Sequence, residues 1–315
     1  MTAASALGRL DRKSRLRVTG ELLGKRGKEA WLIYRRNWMA VLGLALLLLF
    51  SVMAIIHPFL MGTVWPKGIY DPSVGYDLGI LAHPSPPSAG HLLGTDTLGR
   101  DVLSILLAAA RPTFVMVSAA ALTSAIIGTL VGGLSAYFRG WVDGVFANLA
   151  DVALLAPAPL ITVVIGFMLD VQPLEFGLLY GVLAGLGTVG VVLRSHALSV
   201  MSKPFIEASR VAGGGAVHII FGHLIPHLLP LAAVNMMLVV TGAIFANGFI
   251  GFLGLSRAQL NWGTMIYDAF TYMGINETIP WNVLLASASA ISLFAAAFYM
   301  VAGGLHDVAD PRQRK

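Results

Sequence analysis

Apolar positions run along this chain in long unbroken blocks, not in the alternation of a half-buried strand or the single stripe of a soluble helix. Trp38–Ile56 supplies 19 residues without a charge. A helix crossing a hydrocarbon core of about 30 Å needs roughly 20 such residues at 1.5 Å each. Thr113–Phe138, rich in Ala, Gly and Val, is a second such block, and Trp141–Leu169 a third, carrying Asp143 and Asp151 in its first half. Phe176–Leu193 is shorter and uncharged, Leu228–Leu255 is long and uncharged, and Trp281–Gly304 is the last. The pattern predicts an all-α, polytopic membrane bundle of six transmembrane helices.

Composition agrees. Of 315 residues, 57% are hydrophobic and only 12% charged, with a mean hydropathy of +0.77. Soluble domains run near 25% charged, so an ordinary cytosolic domain and a disordered chain are both excluded. The chain has no cysteine, which excludes a disulfide scaffold, thiolate-bound zinc and a thiol nucleophile. A net charge of +5 would suggest nucleic acid if it were evenly spread. Instead, with the N-terminus placed in the cytoplasm, only Lys67, Arg100, Arg111 and Arg257 of the 21 Lys and Arg fall outside. Positive charge collects on the cytoplasmic side of membrane proteins, so both termini are expected there, and nucleic acid drops out as a partner. The basic leader before Trp38 and the length of the apolar block read as an anchor, not a cleaved signal peptide.

The expected organisation is a basic cytoplasmic segment at 1–37, a first transmembrane helix at 38–56, and an outside loop at 57–112. A core of five transmembrane helices follows at 113–304, with a cytoplasmic loop at 194–227, and the tail is 305–315. Gly128-x-x-x-Gly132 and Gly181-x-x-x-Gly185 place small residues on one helix face, where close helix approach in lipid is expected. A carboxylate at the bilayer centre costs about 2.5–3.5 kcal/mol on insertion scales. Asp143 and Asp151 therefore read as structural ion-pair or helix-start residues ahead of a proton relay. Pro157 and Pro159 are expected to kink or thin the helix that follows. The second outside loop, Ser256–Pro280, with Trp262-Gly263 and Tyr267, is compatible with a structured contact surface.

Enzymatic signatures are missing: there is no H-E-x-x-H, G-x-S-x-G or G-x-x-x-x-G-K-[ST]. Gly213-Gly214-Gly215 has no phosphate-binding lysine and reads as a flexible turn. His218, His223 and His227 are joined by no carboxylate, and Pro226 is expected to interrupt their helix, which argues against a metal site. The expectation is a chain without catalysis, metal or cofactor of its own.

The inside loop reads Phe205-Ile206-Glu207-Ala208-Ser209-Arg210-Val211-Ala212-Gly213, then Ile219 through Leu224 and Ile225-Pro226. This resembles the Glu-Ala-Ala loop of binding-protein-dependent ABC importer permeases, with Ser209 at the position of the second of the two alanines. The outside loop reads His91-Leu92-Leu93-Gly94-Thr95-Asp96-Thr97-Leu98-Gly99-Arg100-Asp101-Val102-Leu103-Ser104. It is similar to a segment of C-type permease subunits in dipeptide, oligopeptide and nickel importers. Departures are Asn148 where the family usually has Arg, Val191 where it often has Arg, and the extra glycines Gly214, Gly215 and Gly222.

The resemblance implies the type I ABC importer permease fold in a bacterial or archaeal cytoplasmic membrane. It implies a B-type permease partner, two ATPase subunits that bind ATP and magnesium, and an extracytoplasmic binding protein. Glu207, Ala208, Ser209, Arg210, Gly213, Ile219 and Pro226 would couple to an ATPase subunit. Gly94, Thr95, Asp96, Gly99, Arg100 and Asp101 would form the subfamily motif. Peptide is the implied substrate, with nickel, glutathione or antimicrobial peptides as alternatives. A stand-alone secondary transporter is the rival from another class, and it would want charged groups at mid-membrane depth or broken helices in paired halves.

Overall fold

Asn37 starts the first long helix: its side-chain oxygen accepts from the backbone N–H groups of Met39 and Ala40, satisfying two donors that a helix start leaves free. The computed structural model describes residues 28–80, 82–155, 158–169, 171–255, 260–276 and 279–309. The leader before residue 28, Pro157, Arg257 and the tail from Asp310 lie outside these residues. Helix α1 is Trp38–Thr63, α2 Val102–Phe138, α3 Gly140–Leu155, α4 Ala158–Met168, α5 Pro173–Leu186 and α6 Thr188–Met201. A short helix α7, Pro204–Val211, precedes α8, Ala216–Phe252; then come α9, Trp262–Asn276, and α10, Trp281–Ala309. Among the described residues there is no β-strand, only an isolated bridge between Thr95 and Asp101.

Five spans are long and apolar enough to cross a membrane: α1, α2, α5 with α6, α8 and α10. A sixth exists if α3 and α4, bent by 73° to each other, count as one. Side-chain hydrogen bonding joins the start of α1 to the end of α10, Asn37 Nδ2 donating to Asp307 Oδ2 at 2.8 Å. This end is called the terminal end below, and the opposite one, where α2 starts, the motif end.

Several helices overrun the expected limits. Helix α1 continues past Ile56 because His57 and Pro58 are accommodated within it. Helix α2 starts at Val102, not Thr113, because Asp101 caps it. The fourth span extends to Met201 and so contains Arg194, which the sequence pattern assigned to a loop; pairing with Asp143 removes the cost of its charge. The last helix runs on to Ala309.

Helix α2 is the hub, packing along α5 and α6 on one side and against α8 and α1 on others. The two small-residue patterns lie in a single seam. A Cβ on Gly181 would sit 2.7 Å from the Ala120 carbonyl oxygen, and one on Gly128 would sit 2.6 Å from Val189 Cγ1 and 3.4 Å from the Gly185 carbonyl oxygen. Backbones meet here at distances that only glycine permits. Toward the motif end, Phe50, Phe114, Trp262 and Phe294 form an aromatic core, with Phe50 and Phe294 centroids 4.7 Å apart. The Trp262 indole N–H donates to the Leu106 carbonyl at 3.0 Å, so α9 is fastened into the bundle of its own chain.

Candidate functional site

Two constructions stand out, an elbow at the terminal end and a clasp at the motif end. The elbow begins where Lys203 takes extended backbone and Pro204 opens α7, a position where proline's missing N–H costs nothing. Ile206 is buried with Ala136, Ala197, Val200, Met201, Ile219, Leu224 and Leu228. That burial turns Glu207, Ala208 and Arg210 outward, with Ser209 half-buried. The Arg210 guanidinium lies 5.8 Å from the Tyr137 ring centroid, within reach of its negative face. Glu207 makes no ion pair among the described residues.

Gly213 ends α7 with φ of +84°, the left-handed conformation that glycine adopts without steric cost. Gly214 then packs tightly: its N–H donates to the Ser209 carbonyl at 2.9 Å, and an added Cβ would meet Ser209 Oγ at 2.7 Å. This glycine is a close-approach residue and adds rigidity where flexibility was expected. The expected break at Pro226 is also absent, since α8 runs through it by way of a π turn at Ile220–Leu224. Proline removes one N–H and crowds the preceding turn, and the wider π turn relieves both. The second arm of the elbow is thus the membrane span itself. Phe205 stacks on His227 at 5.2 Å and meets His223 edge-on at 6.1 Å, clamping α7 to α8. Val211, Val217 and Phe221 project to solvent, with Val211 86% exposed. Pro226 is exposed and Ile219 fully buried.

The clasp is built on Asp96. Its Oδ1 accepts from the N–H groups of Leu98 and Arg100 at 2.9 and 2.8 Å, closing a turn in which Gly99 has φ of +84° under the Tyr76 ring. Arg100 pairs with Asp96 at 2.5 Å and reaches Asp268 on α9 at 2.8 Å. The Thr95 hydroxyl, fully buried, bonds Ser85 and His83 Nδ1, the latter at 2.7 Å. Gly94 has φ of +77°, and Asn282 of α10 donates to the Leu93 and Thr95 carbonyls. Asp101 accepts the Ser104 N–H at 2.7 Å as the cap of α2 and holds His91 Nδ1 at 2.8 Å; the other ring nitrogen lies 3.3 Å from Asp77.

Electrostatics follow from this packing. Burial pushes the Asp101 carboxyl up, against the opposing hydrogen bonds from His91 and Ser104. Burial likewise raises Asp268, opposed by Arg100. Asp77, held by the Gly79 N–H and His91, is pulled down. Burial works against the Arg100 charge, but Asp96 and Asp268 outweigh it and raise its pKa. The six motif residues are therefore brought together, and Asp96, Arg100 and Asp101 are each paired. Asp77, Asp268 and Asn282 complete the clasp, and no spacing in the sequence announces them.

The two acids of the third span separate. Asp143 forms a two-point pair with Arg194, 2.5 Å to Nε and 2.6 Å to Nη2. Asp151 is exposed and has no partner among the described residues. Between α3, α5, α6 and α8 lies a cavity of about 440 Å³, lined by Ala153, Tyr180, Thr188, Asn235, Leu238 and Val239 among others. It presents hydroxyl and amide groups but no charge.

Comparison with known proteins bears on this pairing of elbow and bundle. Residues 124–315 match the family described as binding-protein-dependent transport system inner membrane component. The chain belongs to this family. That makes it a multi-pass inner-membrane transport component, and residues 25–84 match the N-terminal TM domain of oligopeptide transport permease C. The dipeptide transport system permease protein DppC of Bacillus subtilis (strain 168) is 32% identical over 292 residues, covering 91% of this chain and 86% of that protein. The oligopeptide transport system permease protein OppC of the same organism is 30% identical, covering 91% and 90%. OppC of Mycobacterium tuberculosis (strain CDC 1551 / Oshkosh) is 32% identical over 286 residues, covering 89% and 93%. The inner membrane component match spans the elbow, and residues 85–123, which carry the Gly94–Asp101 motif, lie between the two matched segments.

Proposed function

We propose that the chain is the permease subunit of an ATP-driven importer and forms half of a translocation pathway for dipeptides or oligopeptides. The observation that carries this is the elbow: a short helix with an outward Glu207 and Arg210, locked through Ile206 and Phe205 onto a span that runs without a break into the bundle. A force applied to α7 is thereby delivered to α8 as a rigid body. The names of the relatives support the peptide substrate.

In this reading a B-type permease supplies the other half of the pathway, and two ATPase subunits dock on the elbows. An external binding protein delivers the peptide. ATP and magnesium are bound by the ATPases, and this chain carries no cofactor. The 17 Lys and Arg assigned to the inside support cytoplasmic termini and therefore a cytoplasmic elbow. The exposed Val211, Val217 and Phe221 give that elbow an apolar tip suited to a protein groove.

The test is uptake and ATPase activity of the reconstituted complex with loaded binding protein. Glu207→Lys and Gly213→Leu are expected to lower peptide uptake at least tenfold while the chain still inserts and is recovered in normal amount. Wild-type uptake in both variants would overturn the coupling role.

A further inference from the structure

We propose that the outward face of α3 is a docking surface for the second permease subunit, which presents a Lys or Arg at mid-membrane depth to Asp151. The inference rests on the permease reading above and adds the chemistry of the contact.

Depth comes from the packing of α3 on the fourth span. A Cβ on Gly187 would sit 3.4 Å from Ala153 Cβ. Gly187 is the central residue of Pro173–Met201, a span of 29 residues. Asp151 precedes Ala153 by two positions, about 3 Å along the helix axis, and so lies near the middle of the membrane. Among the described residues nothing pairs with it: Arg194 is taken by Asp143, and no described Lys or Arg contacts it. Ala153 and Leu154 line the cavity while Asp151 is not among its lining residues, and Asp151 is exposed on the part of α3 that the described residues leave bare.

Lipid does not fit there. Asn148 and Asp151 are neighbours at helical spacing i and i+3, both exposed, and a carboxylate with a carboxamide cannot face hydrocarbon without partners. Around them Trp141, Val145, Val152 and Leu155 are also exposed. Ala150 is the only buried residue of α3 among those described, so the described residues leave most of the helix uncovered. An apolar surface with one carboxylate and one amide inside it has the composition of a helix–helix contact in a membrane, where polar side chains join neighbouring helices. Complementarity then sets the sign of the partner group, and the amide of Asn148 provides a second hydrogen-bonding point beside it.

Two experiments on the full complex decide this. In the first, the tagged chain is co-expressed with the other subunits and the recovered second permease is quantified after detergent extraction. Asp151→Lys is expected to reduce that recovery at least tenfold and Asp151→Glu to leave it within twofold. Asp151→Asn combined with neutralisation of one membrane-embedded Lys or Arg of the partner, found by testing each in turn, is expected to recover more complex than either change alone, because an unpaired charge is removed. In the second, the absence of cysteine allows Val152→Cys to carry a photoreactive group in an otherwise wild-type chain. Cross-linking to the second permease is expected. Full assembly with Asp151→Lys, cross-linking to lipid alone, or modification of Asp151→Cys within the complex by a membrane-impermeant thiol reagent would each overturn the proposal. A wild-type chain that captures no second permease would instead overturn the permease reading itself.

Discussion

Asp101 holds the first turn of α2 and one face of His91 with the same carboxylate, and is itself 1% exposed. The apolar block in the sequence reads from Thr113, so this cap was missed, although an Asp before a helical run is a helix-start signal. The histidine contact was not legible either, because the nine residues of irregular backbone between His91 and Asp101 carry no periodicity. Burial raises the folded-state pKa of Asp101, so the folded chain holds the proton more tightly than the unfolded one. The stability this contributes is present below the ordinary value of 3.8 and is lost as pH rises through the raised value. Asp77 has the opposite sign: its pKa is lowered, and its contribution is present above 3.8 and lost as pH falls. Thermal melts of the detergent-purified chain across the carboxylate range check both. The advantage of wild type over Asp101→Asn is expected to shrink as pH rises, and that over Asp77→Asn to shrink as pH falls. At neutral pH Asp101→Ala is expected to cost about 1–2 kcal/mol through the lost cap.

At the scale of elements, the α2–α5 seam translates a sequence pattern directly into geometry. Small residues four apart predicted a close face, and the bundle puts the two patterns against each other, with Gly128 beside Gly185. Gly181→Leu is expected to destabilise the chain by about 1–3 kcal/mol or more, because the seam has no room for extra atoms. Gly303→Ala, where a Cβ would meet nothing within 4 Å, is expected to be neutral or stabilising by up to about 1 kcal/mol. Equal melting temperatures for the two variants would contradict this account. Helix ends were less legible. Arg194 looked like the end of a span because an isolated charge in lipid is costly, and only the fold showed that Asp143, 51 residues away, neutralises it. Pro226 looked like a break because proline removes an N–H, and only the fold showed the π turn that absorbs it.

Across the whole molecule, Arg100 joins the outer loop to α9 through Asp268, a link spanning 168 residues of sequence. Arg100→Leu is expected to leave the buried Asp96 and the half-buried Asp268 without their cation and to free α9 from the loop. Hydrogen exchange should then accelerate in peptides from Trp262–Asn276 and stay unchanged in Ala216–Phe252; unchanged exchange in both would show that the tie does not restrain α9. The sequence by itself determined the class of molecule, because apolar run length and the shortage of charge are properties of composition and local order. It also located the elbow segment and the Gly94–Asp101 part of the clasp, because those signals are contiguous in the chain, whereas Asp268 and Asn282 join the clasp only through the fold. The tertiary structure alone decided which charges are satisfied, making Asp143, Arg100 and Asp101 paired and leaving Asp151 open. Pairing joins groups far apart along the chain, and the low dielectric of a membrane bundle makes the presence or absence of a partner the dominant energy at each of these positions.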